Sequence, residues 1–153
     1  MNKIIISPYS RKLKNNKPNP KDYPFFPELI KELRSLNIYI IQIGVDGETK
    51  LENVNEYQFN LSLKELEKLT LYVDTFISVD NFYPHFCNLI NKSGIVIFSQ
   101  SNPDIFSYKT NINLLKDIKY LRNNQFSTWE ETQFNIEAFI PPEIIIQNLV
   151  KFF

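Results

Sequence analysis

Consecutive apolar residues, rather than alternating ones, recur along this chain, and that pattern restricts its fold more than any other feature. The predicted strands are Lys3 to Ser7, Ile38 to Ile43, Tyr57 to Asn60, Thr75 to Val79 and Gly94 to Ser99. Successive side chains of a strand point to opposite faces, so an unbroken apolar run needs both faces covered, as in a parallel sheet. Helical patterns lie between the runs. Pro27 to Leu36 repeats Leu29, Ile30, Leu33 and Leu36, with Pro27 suited to a first turn. Ser62 to Leu71 opens on the capping-box pair Ser62 and Glu65 and repeats Leu63, Leu66 and Leu69. Asn81 to Asn91 follows, with Ser93-Gly94 as its expected stop. This alternation predicts right-handed crossovers and a three-layer, Rossmann-like α/β domain with a mainly parallel sheet of five or six strands.

After Ser99 the pattern weakens. Asn111 to Tyr120 is read as holding a short edge strand, and Asn123 to Asn135 as loop with a helical turn. Pro141-Pro142-Glu143 starts a final helix with Ile145, Leu149 and Phe152 on one face. No repeat, low-complexity tract or linker interrupts the 153 residues, so residues 1–153 read as one domain.

Composition removes several functional classes. Seventeen basic and seventeen acidic side chains cancel, which argues against nucleic-acid binding by bulk charge. The single cysteine, Cys87, rules out an internal disulfide framework and a multi-cysteine zinc site; it falls on the apolar side of its helix and is expected to be a buried thiol. No metal site is predicted, because His85 is the only histidine and only scattered carboxylates are offered to it. No apolar run reaches the roughly 18 to 20 residues that span a bilayer. Met1 to Ser7 is too short for a signal peptide, so the expected location is cytoplasmic. Abundant Asn, Ile and Lys are associated with AT-rich genomes, bacterial or phage.

The candidate site sits where the strand Thr75 to Val79 gives way to the helix beginning Asp80-Asn81-Phe82-Tyr83-Pro84-His85. In parallel α/β sheets that edge receives ligands, and a helix start favours anions through free N–H groups and its dipole. Asp80 and His85 are the candidate catalytic residues. The loop from Pro8 to Pro24 adds Arg11, Lys12, Lys14, Lys17 and Lys21 against one acid, Asp22, a local positive patch at the same edge. Ile43-Gly44-Val45-Asp46-Gly47-Glu48 ends another strand with two glycines, but in neither a G-x-G-x-x-G nor a Walker arrangement. It reads as a tight turn with a solvated Glu48. Ser99-Gln100-Ser101-Asn102 offers hydroxyls and amides before Pro103, and suits either a sugar contact or an ordinary turn. Ser78, His85 and Asp80 supply the types of a hydrolytic triad without a G-x-S-x-G elbow. Trp129 with Glu130 and Glu131 reads as packing plus solvated charge.

Taken in order, these pieces resemble the carboxyl-terminal, nucleotide-sugar-binding half of the heptosyltransferase-like glycosyltransferases of family 9, which have a two-domain GT-B architecture. Ile6-Ser7-Pro8-Tyr9-Ser10 and Lys17-Pro18-Asn19-Pro20 are similar to the family's small-residue strand end and basic, proline-containing loop. Ile43-Gly44 with Glu48 resembles its strand ending in glycine and an acid, and Leu61-Ser62-Leu63-Lys64-Glu65-Leu66 its leucine-rich helix. Asp80 and His85 keep the family's Asp-x-x-x-x-His spacing. Phe98-Ser99-Gln100-Ser101-Asn102-Pro103 resembles its Phe-Gly-x-Thr-x-Pro loop, and Ile140-Pro141-Pro142-Glu143 the start of its last helix. Asn81-Phe82-Tyr83 stands where the family has a glycine, and Ser99 replaces the glycine of the later loop.

The resemblance implies a nucleoside diphosphate sugar as ligand, with no other cofactor. The diphosphate would be held by Asn81, Phe82, Tyr83 and His85 at the helix start and by Lys14 and Lys17. Tyr9, Gly44, Glu48, Gln100, Ser101 and Asn102 would flank base and ribose, and Ser7, Ser10 and Asp80 complete the expected ligand-binding set. The family's other half, which carries the acceptor and usually the catalytic base, has no counterpart here, so transfer would need a partner chain or a homo-oligomer. A non-catalytic protein that sequesters a nucleotide-like molecule or docks on another protein, and a small hydrolase using His85 and Asp80, stay open beside it.

Overall fold

A computed structural model describes all 153 residues. The strands are β1 (Lys3–Ser7), β2 (Tyr39–Gly44), β3 (Glu56–Phe59), β4 (Thr75–Val79), β5 (Ile95–Phe98) and β6 (Ile112–Leu115). They form one sheet in the order β3-β2-β1-β4-β5-β6, and every neighbouring pair is parallel. Ile5 of β1 lies opposite Ile41 of β2 on one side and Phe76 of β4 on the other. The sixth strand falls inside the stretch read as an edge strand.

Alternation along the strands divides the core. Ile4, Ile6, Ile40, Ile77, Val79 and Ile97 point to one face, where they meet Leu29, Ile30 and Leu33 of α1 (Phe26–Ser35) and Ile145 and Leu149 of α5 (Pro142–Leu149). Ile5, Ile41, Ile43, Phe76, Val96 and Phe98 point to the other, against Leu66 of α2 (Leu63–Tyr72) and Tyr83, Phe86 and Cys87 of α3 (Phe82–Leu89). Three layers result. A right-handed crossover puts its helix on one face when the chain moves one way along the sheet and on the other when it moves back. The path from β1 to β2 therefore takes α1 to one face, and the path from β4 to β5 takes α3 to the opposite one. A four-residue turn, α4 (Pro103–Phe106), precedes β6.

Local chemistry explains most boundaries. Ser62 and Glu65 form the expected capping box at α2. Helices α1 and α3 end on asparagines instead of glycine: Asn37 (φ 59°) and Asn91 (φ 58°) adopt the left-handed conformation. Ile38 N–H then reaches Leu33 O at 3.1 Å, and Lys92 N–H reaches Cys87 O at 2.9 Å. The expected stop at Ser93-Gly94 is thus corrected to Asn91. Gly94 serves packing: a Cβ there would lie 2.5–2.6 Å from the Phe76 ring, which is completely buried. No helix crosses from β2 to β3. Gln42, wholly buried in β2, holds that connection through Thr49 O (2.8 Å) and Leu51 N–H (2.9 Å).

Gly94→Ala is expected to destabilise the fold by about 1–3 kcal/mol, because the ring has no space to retreat. The urea midpoint should fall with an unchanged m-value; a wild-type midpoint would show that the Phe76 ring is free to shift.

Candidate functional site

β1 and β4 are neighbours whose chains leave in opposite directions, so their carboxyl ends open a crevice. Asn81 closes its floor. Its Nδ2 donates to Ser7 Oγ (2.9 Å) and Tyr9 O (3.0 Å), and its Oδ1 accepts from Tyr83 N–H (2.9 Å) and Ser78 Oγ (3.1 Å). Ser10 Oγ adds a bond to Asp80 O at 3.0 Å. All four bonding positions of the amide are spent on holding the two strand ends together.

Above this clamp lies a cavity of about 750 Å³. The loop after β1 lines it with Ser7, Tyr9, Ser10, Arg11 and Lys21. The β4–α3 junction contributes Asp80, Asn81, Phe82, Tyr83 and His85. Toward β3 the wall is mainly apolar, with Ile43, Val45, Leu61, Leu63 and Leu66 around Gly44, Glu48 and Gln58. Toward β6 it is made by Phe106, Arg122, Gln125, Phe126, Ser127 and Trp129. Such a volume, with apolar walls and a few convergent polar groups, suits a small-molecule site.

The sequence-selected residues divide plainly. Ser7, Tyr9, Ser10, Gly44, Glu48, Asp80, Asn81, Phe82, Tyr83 and His85 all line the cavity. Lys14 and Lys17 do not; both are exposed, on a turn that reverses at Asn16 (φ 60°). Gln100, Ser101 and Asn102 do not either. Gln100 Nε2 is tied to Gln133 O (2.9 Å), Ser101 is 1% exposed, and Asn102 caps α4. That loop supports the wall instead of forming it. The Pro8–Pro24 loop is folded rather than loosely solvated, since Leu13, Asn19 and Tyr23 are buried within it. Lys21 is its lysine that reaches the cavity.

Three other readings change. Glu48 is not a solvated turn residue: its Oε1 accepts from Val45 N–H at 3.0 Å, and burial raises its carboxyl above the usual range. Gly44 permits this, because a Cβ there would lie 2.7 Å from that oxygen and 2.9 Å from the Phe59 ring. The triad is not assembled. Ser78 is fully buried and its Oγ is bonded to Val79 O and Asn81, whereas His85 Nδ1 pairs with Tyr108 OH at 2.7 Å. Trp129 and Glu130 are more than packing and solvated charge. Arg11 makes a bidentate bridge to Glu130 (2.7 and 3.1 Å), lowering that carboxyl to about 2, and Trp129 faces the cavity. Burial pushes the Cys87 thiol up to about 12, which leaves it inert.

The source of positive potential also differs from expectation. In the first turn of α3, the Asn81 side chain takes the Tyr83 N–H, and Pro84 has none to give. The helix start therefore offers few free donors. Cations supply the charge: Lys21 lies 3.8 Å from Asp80, and both Lys21 and Arg122 sit over the Trp129 ring. Nothing in the local pattern of Asn123 to Asn135 marks that segment as a cavity wall; Trp129 reads there as packing, and no pattern points to Arg122. Among His, Cys, Asp and Glu, no group of three is gathered as a metal site would need. No helix is long and apolar enough to cross a membrane.

No family profile matches the chain, and no curated protein sequence matches it. Solved structures do. A glycosyltransferase family 9 protein from Veillonella parvula superposes with a TM-score of 0.75 at 14% identity, over 99% of this chain and 46% of that one. The dodecameric iron-containing heptosyltransferase TibC of enterotoxigenic Escherichia coli, in complex with ADP-D-β-D-heptose, gives 0.73 at 13% identity, over 98% and 45%. The E. coli heptosyltransferase WaaC with ADP gives 0.67 at 14% identity, over 99% and 45%. At such identity the likeness establishes the fold alone, a Rossmann-like α/β domain. The chain spans less than half the length of each.

Burial raises the Asp22 carboxyl from 3.8 to about 7, even though Ser10 N–H donates to it at 2.7 Å. A raised carboxyl holds its proton more tightly in the fold, so its contribution is full below 3.8 and is lost as pH rises toward 7. Asp22→Asn keeps the acceptor and removes the charge. It should gain about 3 kcal/mol over wild type between pH 4.5 and pH 8 in chemical denaturation. A difference independent of pH would show that Asp22 does not titrate in this range.

Proposed function

We propose that the chain is a glycosyltransferase-type domain that binds a nucleoside diphosphate sugar and contributes to sugar transfer together with a second polypeptide half. The observation that carries this reading is the two-ended cavity at the β1–β4 crevice. One end is apolar and holds Tyr9, Gly44 and Glu48; the other holds Lys21, Arg11 and Asp80. A nucleotide has the same two ends, a flat base with its ribose and a charged diphosphate. Glu48 and Tyr9 would flank base and ribose, and Lys21 the diphosphate. His85, fixed by Tyr108, would face the leaving phosphate from the α3 side. In transfer, this domain would stabilise the departing diphosphate, while the acceptor and its base come from the other half. The structural neighbours bound to ADP and to ADP-D-β-D-heptose support the ligand class, and the chain's coverage of less than half their length supports a second half.

A binding protein without turnover is the second reading. It is favoured by the spent donors at the α3 start, which leave fewer N–H groups to meet developing charge.

Thermal-shift titration with nucleoside diphosphates and their sugars tests the binding claim. At 100 times the dissociation constant a true ligand adds about 2.7 kcal/mol, or roughly 5–10 °C for a chain of this size. A flat response across the panel would falsify the reading. Turnover that appears only on mixing with a complementary half, and disappears in His85→Ala, separates transfer from sequestration.

A further inference from the structure

We infer that Arg122, mounted on Trp129 by the segment after β6, is an anion-binding residue of the cavity that takes a phosphoryl group of the ligand. The identity of that ligand rests on the nucleotide reading above; the anion site itself does not.

The segment is built to hold one side chain. Arg122 N–H and Gln125 Nε2 both donate to Gln100 O (3.1 and 2.9 Å), and Gln125 Oε1 accepts from Asn102 N–H (2.8 Å). The β5–α4 loop, expected to touch a sugar, thereby anchors this wall. Within the segment, Arg122 Nη1 donates to Thr132 Oγ1 (3.1 Å) and Ser127 Oγ (3.3 Å), and Nη2 donates to Gln125 O (3.0 Å). The guanidinium carbon lies 3.4 Å from the centre of the Trp129 ring. Few side chains in the molecule are oriented by so many contacts.

Each of those partners is neutral. The chain's two ion pairs are Arg11–Glu130 and Lys21–Asp80, so Arg122 has no carboxylate within 4.0 Å. Burial lowers its pKa, and Asp80 and Glu131 act on it only at longer range. Arg122 Nε is buried without a hydrogen-bond partner in the protein. A partly desolvated cation without a counter-charge costs free energy that an anion in the cavity would offset. Lys21 Nζ sits 5.3 Å from the same ring centre. Two cations on one indole, facing one cavity, suit the two charged groups of a diphosphate. A loop-organising role alone would explain the carbonyl and hydroxyl contacts but leaves the uncompensated charge at a cavity wall without a purpose.

Trp129 is the only tryptophan, so its fluorescence reports on this spot. The intact chain would be titrated with inorganic pyrophosphate, ADP and adenosine, following Trp129 emission and the Arg122 Nε–H signal by NMR. Pyrophosphate and ADP should produce saturable changes in both. Arg122→Gln should weaken both anions about 10-fold or more, as loss of a charge-assisted bond does, and leave adenosine unchanged. Lys14→Ala, an exposed control, should change nothing. Should Arg122→Gln fail to fold, the Nε–H shift in the wild-type chain decides by itself. If ADP binds while that signal stays still and Arg122→Gln keeps its affinity within twofold, the inference is wrong and the nucleotide reading survives. If pyrophosphate binds through Arg122 but nucleosides add nothing, the anion site stands and the nucleotide reading falls. If no anion binds, both fall.

Discussion

β1 is hydrogen-bonded on both sides, to β2 and to β4, and the chain leaves β1 and β4 in opposite directions at their carboxyl ends. That arrangement needs a strand buried on both faces, which the run Ile4-Ile5-Ile6 provides with each residue fully buried. It also needs something to hold the parting chains at a fixed distance. Asn81 does this, bonding to Ser7 and Tyr9 on one side and to its own helix on the other. The cavity above exists because the sheet is continuous below it and its connections diverge.

The site combines two kinds of restraint. Its polar backbone groups are largely consumed by the scaffold, since the cap at α3, the Ser10–Asp80 bond and the Asp22 contact to Ser10 all use donors that a ligand would otherwise meet. What remains for a ligand is side-chain charge and ring surface. Lys21 comes from the loop after β1 and Arg122 with Trp129 from one segment after β6, and desolvation makes the charge of each cation more effective than it would be on the surface. Burial raises the carboxyls of both Asp22 and Glu48 above the usual range.

Much of the fold was legible because it rests on local physics. Runs such as Ile95-Val96-Ile97-Phe98 announce a doubly covered strand, and Ser62 with Glu65 announces a helix start. The lone misjudged helix stop has a local cause too, since Asn91 adopts the left-handed conformation that was assigned to the glycine region downstream. The site was less legible. Gly44, Asp80, Asn81 and His85 line one cavity because strand ends in a parallel sheet fall on one edge. Lys14 and Lys17 lie outside its lining, because a lysine's charge is visible in sequence but the direction of its loop is not. Trp129 reads as packing and Arg122 as nothing in particular, because an irregular segment carries no periodicity from which its position can be read.

The amino-acid sequence by itself determined the layered α/β architecture, the parallel strands and the edge where loops gather, since periodicity and capping act between residues a few positions apart. Tertiary structure alone decided which of the many polar and charged side chains meet. Gln100 became a support and Arg122 a wall residue through bonds spanning twenty or more positions, and such pairings depend on how the chain returns across the sheet, a choice that no local pattern encodes.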